Sequence, residues 1–175
     1  LRPLPLVTPL QAHEQVQAWD VPGLRAIAPA ASVVVLGTGL SMVDVLLSLH
    51  GNGHHGPVQV VSRHGLMPLA HAAHLAWPVD GQALLAMPLR ARMRWLRGQA
   101  AAAQAAGLPW QVVFDAIRPL SWRLWASLEA ADQARFLRHV VRLWDVHRHR
   151  IAADVAALIA TGMDQGRWQL HAGGL

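Results

Sequence analysis

A glycine-containing turn after the first β-branched segment is the feature of this chain with the clearest chemistry. Residues 33–36 are Val-Val-Val-Leu, residues 37–39 are Gly-Thr-Gly, and an apolar helical pattern begins at Leu40. In such an arrangement the first glycine permits a tight turn, and the second lets a pyrophosphate approach the backbone. Free N–H groups at the start of the following helix attract phosphates. The predicted phosphate-binding residues are Gly37, Thr38, Gly39, Leu40 and Ser41.

The surroundings of this turn support a nucleotide site more than the two glycines do, because Met42 stands where a third glycine is usual. A glycine-rich return at residues 51–57 leads to a second apolar segment at residues 58–61. Strand, turn, helix and strand in this order predict a βαβ unit with buried parallel strands. Asp44 is expected to hold the turn through backbone hydrogen bonds, with direct contact to the cofactor as the alternative. The alternative is a glycine-bearing turn that binds nothing.

The residues after the second strand bear on the choice of cofactor. At this place in a βαβ nucleotide unit an acidic residue binds the ribose 2′-hydroxyl of NAD, whereas an arginine accommodates the 2′-phosphate of NADP. The segment Ser62, Arg63 and His64 contains no acid, and a guanidinium forms two parallel bonds to a phosphate. Ser62 adds a hydroxyl donor. We predict that Ser62, Arg63 and His64 bind NADP(H), with NAD(H) less favoured; the alternative is that Arg63 is a solvated loop cation.

The rest of the chain separates into irregular and helical parts. Residues 1–30 contain several prolines, and one short helix is expected near residues 13–19. Residues 77–150 show only helical patterns, including a helix from Pro88 that Gly107 ends. A longer helix is predicted from about residue 130, with Phe136, Val140, Val141 and Trp144 on one face.

These patterns predict an α/β fold. A helix at residues 151–161 and a strand at residues 168–171 are expected to rejoin the sheet. The predicted architecture is a Rossmann-like three-layer nucleotide-binding domain, residues 31–76 and 151–175, interrupted by an all-helical insertion at residues 77–150.

Composition restricts the classes of partner. The net charge is +5, and all fifteen basic residues are arginine, which indicates a GC-rich, bacterial genome. The arginines are scattered and lack interleaved aromatic residues, so nucleic acid is not an expected partner. The most apolar stretch, residues 33–49, contains two glycines and Asp44, so no membrane segment is predicted. A cytoplasmic location is expected, and the absence of cysteine excludes disulfides and thiolate chemistry.

Histidines raise the question of a metal ion. The close pairs are His54 and His55, His71 and His74, and His147 and His149. No carboxylate accompanies them in a recognised ligand spacing, so no metal site is predicted. Instead, residues 145–150 are expected to pack polar groups between the helical insertion and the nucleotide or flavin domain; the alternative is a solvated helix end.

Four stretches of the chain carry a resemblance to a known family. They are residues 36–44 (Leu-Gly-Thr-Gly-Leu-Ser-Met-Val-Asp), 56–58 (Gly-Pro-Val), 62–68 (Ser-Arg-His-Gly-Leu-Met-Pro) and 144–150 (Trp-Asp-Val-His-Arg-His-Arg). With these stretches the chain resembles the FAD/NAD(P)-binding oxidoreductase family, flavoproteins with two dinucleotide-binding domains that are distantly similar to flavin monooxygenases. The resemblance spans nearly the whole chain.

The resemblance implies that an FAD-binding domain lies upstream. No second glycine motif occurs before residue 30, so we interpret the chain as a central fragment and residues 1–30 as a linker from the missing FAD domain. The implied function is the pyridine-nucleotide-binding portion of a flavin-dependent oxidoreductase, acting on a small molecule that the sequence does not identify. A non-catalytic dinucleotide-binding or interaction module with the same fold is the alternative. The sequence indicates no catalytic residue.

Overall fold

The computed structural model describes residues 15–73 and 75–173, which form a mixed α/β protein. The described chain divides into two compact units. Residues 15–68 and 154–173 form the sheet unit, and Leu69–Ala153 form the helical unit. No helix within the described residues is both long enough and apolar enough to cross a membrane.

Three parallel strands form the sheet: β1 (Val33–Leu36), β2 (Val58–Ser62) and β3 (Trp168–Ala172). Their order is β1-β2-β3, so that β2 is the central strand. The helix α2 (Leu40–Gly51) connects β1 to β2, which confirms the predicted βαβ order. The predicted strand near residue 168 is also confirmed, because β3 pairs with β2 from Val58 opposite Trp168 onward.

One face of the sheet is buried. Val58 and Val60 are inaccessible to solvent, and Trp168 is almost so. The helix α9 (Ala153–Asp164) approaches this face so closely that a Cβ atom on Gly162 would lie 2.5 Å from the Trp168 ring. The ring of His50 in α2 meets the same tryptophan edge-on, with centroids 6.4 Å apart. The two helices therefore cover the same side of the sheet.

The opposite face of the sheet is open. Val34 is 58% exposed and Leu36 is 38% exposed, so the prediction of a fully buried first strand is wrong. His171 lies on this face and forms a hydrogen bond with Gln59 on the neighbouring strand. The second helical layer of the predicted three-layer architecture is not seen among the described residues of the sheet unit.

The segment before the sheet differs from its prediction. The helix α1 (Val21–Ala26) begins after Asp20, whose carboxylate accepts a hydrogen bond from the Gly23 N–H at 3.0 Å. This cap satisfies one of the donors left unpaired at a helix start. Residues 15–19 are not helical, and the other residues of the helix expected near 13–19 lie outside the described part of the chain.

The helical unit contains several short helices around one long one. In the described part of this unit they are α3 (Gly81–Ala86), α4 (Leu89–Ala105), α5 (Gln111–Ile117), α6 (Ser121–Ala126), α7 (Ala130–His139) and α8 (Val141–Arg148). Pro88 precedes α4, and Gly107 follows it with a φ of +75°, as predicted. The single helix expected from residue 130 is instead broken at Val140, between α7 and α8. The sequence analysis missed α3.

The chain enters and leaves the helical unit at neighbouring positions. The Ile151 N–H donates to the Leu69 carbonyl at 2.9 Å, and the His71 N–H donates to the Ile151 carbonyl at 2.8 Å. Residues Ala70 and Ile151 thus form a parallel bridge. Because this bridge joins residues 81 positions apart, it brings the two ends of the helical unit together.

Candidate functional site

The two predicted nucleotide-binding segments lie side by side at the carboxyl ends of β1 and β2. Leu36 is opposite Val61 in the parallel register, and the Gly37 N–H donates to the Val61 carbonyl at 2.8 Å. The Thr38 hydroxyl then donates to Ser62 Oγ at 3.2 Å. The structure therefore brings together residues that are separated by 24 positions in the sequence.

Both glycines of the turn leave space above the backbone. Gly37 has a φ of +100°, a conformation that side chains with a Cβ rarely adopt. Gly39 has an ordinary φ of −80°. A Cβ atom built on either glycine meets no described atom within 4 Å. An anion can approach the backbone there without displacing a side chain.

The start of α2 faces the same space with unpaired donors. Gly39 is the N-cap residue, and no side chain in the described part of the chain caps the helix. The Met42 N–H donates to the Gly39 carbonyl at 3.1 Å. The N–H groups that precede it in a helix have no intrahelical acceptors, and the helix dipole places partial positive charge beside them. Leu40 is exposed and Ser41 is half-buried, so this end of the helix is accessible.

Ser62 holds the loop that follows β2. Its Oγ accepts the hydrogen bond from Thr38 and another from the Gly65 N–H at 3.0 Å. Gly65 has a φ of +61°, and its N–H closes the turn that presents Arg63 and His64. A hydroxyl that accepts two hydrogen bonds retains its own proton for donation. Ser62 is therefore a positioning residue that keeps the donor capacity expected from the sequence.

Arg63 and His64 extend from this loop into solvent. Both residues are exposed, and no described carboxylate lies within 4 Å of the Arg63 guanidinium.

Asp44 and Met42, the other two residues singled out near the turn, are both in α2. The Asp44 carboxylate is exposed and forms no hydrogen bond to the turn among the described residues, so the prediction that it holds the turn is wrong. Met42, in place of a third glycine, is buried below the turn.

The polar segment 145–150 is engaged within the helical unit. Arg150 is buried and forms an ion pair with Asp115, and its guanidinium lies 5.8 Å from the centre of the Trp110 ring. The His147 ring stacks on Phe114 with centroids 5.3 Å apart. Arg150 and His147 therefore both contact α5 of the same unit.

The surroundings of Arg148 in the helical unit lower the pKa of its guanidinium. Burial lowers the pKa of the Arg148 guanidinium, and the positive charges of Arg118 and Arg150 lower this pKa further, while Asp115 opposes them. Arginine is a very weak acid, so we expect Arg148 to remain charged at neutral pH.

The neighbouring histidines His54 and His55 contact different backbone carbonyls. His54 is buried, with Nε2 3.0 Å from the Ala31 carbonyl, and His55 Nδ1 lies 3.3 Å from the Gly53 carbonyl. His74 lies outside the described residues. Within the described ranges, no three metal-ligating side chains lie close enough together to hold one ion.

No known protein family, no characterised protein and no solved structure matches this chain in sequence or in fold. The sequence analysis missed one element of the site geometry, the hydrogen bond between Thr38 and Ser62. The only sequence signal for it is that both residues carry hydroxyl groups at the ends of consecutive predicted strands.

Proposed function

We propose that this chain is the NADP(H)-binding portion of a flavin-dependent oxidoreductase and that its sheet unit is a Rossmann-like nucleotide-binding domain. The observation that carries the proposal is the open, uncapped turn at residues 37–41. A strand leads into Gly37 at φ +100°, and no side chain of the described residues occupies the space above Gly37 and Gly39. This combination suits a pyrophosphate on the N-terminus of α2.

The strand arrangement supports the same proposal. The order β1-β2-β3, with all strands parallel, is the order of the first half of a doubly wound dinucleotide-binding sheet. In such sheets ligands bind beyond the carboxyl ends of the strands. The turn after β1 and the loop after β2 both lie at that edge.

The proposed cofactor is NADP(H) because of Arg63. Its exposed guanidinium lies one residue beyond Ser62, which is linked to the phosphate-binding turn through Thr38. A 2′-phosphate at this position would pair with Arg63 and accept a hydrogen bond from Ser62. His64 is placed to contribute a further donor from the same loop.

The proposed role in catalysis is to bind and orient the nicotinamide cofactor. The reduced nicotinamide supplies the hydride when bound, and FAD, held by a domain that the family resemblance places upstream, accepts it. The residues of this chain would anchor the pyrophosphate at residues 37–41 and the ribose phosphate at residues 62–64. They would thereby set the position of the nicotinamide.

The test is a calorimetric titration of this chain with NADPH, comparing the wild type with Gly39→Val. Gly39 has a φ that valine tolerates and no described neighbour within 4 Å of its Cβ position, so the variant should fold normally. The added side chain would occupy the phosphate position, and we expect NADPH affinity to fall at least tenfold.

Gly98→Val is the matched control. Gly98 also has no described atom within 4 Å of its Cβ position, but it lies in α4 of the helical unit. Its NADPH affinity should equal that of the wild type. Unchanged affinity in a folded Gly39→Val protein would show that the turn is not the phosphate site.

A further inference from the structure

The helical unit contains an apolar cavity that the nucleotide proposal does not use. Its volume is about 330 Å³, and its walls come from helices α3 to α8. Leu137 and Asp145 belong to its wall and are partly exposed, so the cavity opens to solvent. Cavities of about 300 to 1,000 Å³ are typical of small-molecule sites. The size of this cavity is therefore that of a ligand site.

Aromatic rings form a large part of the wall. Trp125 meets Phe136 with ring centroids 5.8 Å apart and planes at 67°, and Phe136 meets Trp144 at 5.9 Å and 69°. Trp95 also lines the cavity. Rings that meet edge to face leave further faces and edges available, and a planar aromatic guest packs favourably against them.

The polar groups of the wall are few and largely engaged. Arg92 is buried, and its donors bind the carbonyls of Leu85, Met87 and Leu124 and the hydroxyl of Ser127 at 2.6 to 2.9 Å. The Ser121 hydroxyl donates to the Ile117 carbonyl.

Asp145 is the most exposed polar group of the wall. Its side chain is 41% exposed, and a carboxylate oxygen lies 3.9 Å from Arg142. A buried water needs two to four polar partners, and a buried charge needs a counter-ion. The interior of the cavity therefore favours a neutral, apolar molecule over water or an ion.

The helices on one side of the cavity are thinly packed. No residue of α6, α7 or α8 is fully buried among the described residues. Elements with few buried contacts open locally at low cost in free energy. A ligand can therefore enter without unfolding the core around Val112 and Val113, which are inaccessible to solvent.

From these observations we propose that the cavity is a binding site for a neutral, planar aromatic molecule of one or two rings. The site lies entirely within the helical unit and does not depend on the nucleotide proposal.

Indole is a suitable probe, and its binding to the whole chain is measured by calorimetry. We expect saturable binding at one site per chain and at least tenfold weaker binding of indole-3-carboxylate, because the cavity offers its charge no free partner. Val141→Phe places a larger side chain in the wall of the cavity and should weaken indole binding at least tenfold.

Leu143→Phe makes a comparable enlargement on the same helix at a residue that is 52% exposed and outside the cavity. Indole affinity should stay within twofold of the wild type in this control. It should also be unchanged in Gly39→Val, which separates failure of this proposal from failure of the nucleotide proposal.

The proposal is overturned if wild-type protein shows no saturable indole binding, or if a folded Val141→Phe protein binds indole as tightly as the wild type. Should Val141→Phe not fold, crystals of wild-type protein soaked in 5-bromoindole provide a second measurement. A bromine anomalous peak between Trp125 and Trp144 supports the site. A peak elsewhere, or none, refutes it.

Discussion

The hydroxyl groups of Thr38 and Ser62 lie 3.2 Å apart and connect the two halves of the candidate nucleotide site. Thr38 belongs to the turn after β1, and Ser62 is the last residue of β2. Because Ser62 also accepts a hydrogen bond from the Gly65 N–H, one side chain fixes both loops. The contact thus sets the spacing between the phosphate-binding turn and Arg63.

Ser62→Ala should lower the stability of the sheet unit. The substitution removes the acceptor for both the Thr38 hydroxyl and the partly buried Gly65 N–H, and we expect a loss of about 1–2 kcal/mol in the free energy of unfolding. Thr38→Val removes only one of these bonds, so its loss should be smaller. Urea denaturation of each variant measures the difference.

The double variant tests whether the two hydroxyls interact. If they do, the loss in the free energy of unfolding caused by Thr38→Val should be about 0.5–1 kcal/mol smaller in the Ser62→Ala background than in the wild type. Fully additive losses would mean that the hydrogen bond is absent in solution.

Gly37→Ala should destabilise the protein more than Gly39→Ala. Alanine at a φ of +100° is strained, and we expect a loss of about 1–3 kcal/mol in the free energy of unfolding. Gly39 has a φ of −80°, which alanine adopts readily. The free energy of unfolding of Gly39→Ala should therefore stay within about 1 kcal/mol of the wild type. Thermal and urea unfolding of the two variants make the comparison, and equal losses would contradict the strained turn.

Arg63→Ala should weaken NADPH binding selectively. The guanidinium would contact a 2′-phosphate that NADH lacks, and loss of a charge-assisted contact costs about 1.5–3 kcal/mol, or about ten- to a hundredfold in affinity. NADH affinity should change little. Calorimetric titration of wild type and variant with both cofactors gives the four affinities required.

Arg97→Ala serves as the control for this experiment, since it removes an exposed arginine of the helical unit. It should leave both affinities unchanged. Equal losses for NADPH and NADH in Arg63→Ala would instead assign Arg63 to the common phosphates or to the fold. A wild-type preference for NADH would refute the cofactor assignment.

Arg92→Met should destabilise the helical unit. The Arg92 guanidinium binds carbonyls near the C-terminal ends of α3 and α6, where a positive charge also interacts favourably with the helix dipoles. Methionine fills similar space but donates no hydrogen bond to these carbonyls, and we expect a loss of about 2–4 kcal/mol in the free energy of unfolding.

Arg90→Met is the matched control for this prediction, because Arg90 is exposed on the same helix. Its free energy of unfolding should stay within about 0.5 kcal/mol of the wild type. Urea denaturation in which the two variants lose equal stability would show that the Arg92 hydrogen bonds contribute little.

The sequence by itself determined the local elements around the candidate site. A β-branched run, a glycine pair and an apolar helical pattern predict β1, the turn and α2, because each depends on interactions between residues close in the chain. Pro88 and Gly107 similarly predict the limits of α4, since their backbone preferences act locally. The helix boundary at Val140 was not predicted, because the apolar periodicity continues across it from residue 130 to residue 148.

Only the tertiary structure decided which distant residues meet. The hydrogen bond between Thr38 and Ser62 requires the parallel register of β1 and β2, and the ion pair between Arg150 and Asp115 requires the packing of the helical unit. The exposure of Val34 and the aromatic cavity likewise depend on which helices cover a face. The periodicity of apolar residues in the sequence shows which face of a helix or strand each of them lies on. The neighbours of each residue are determined by contacts between elements that are far apart in the sequence.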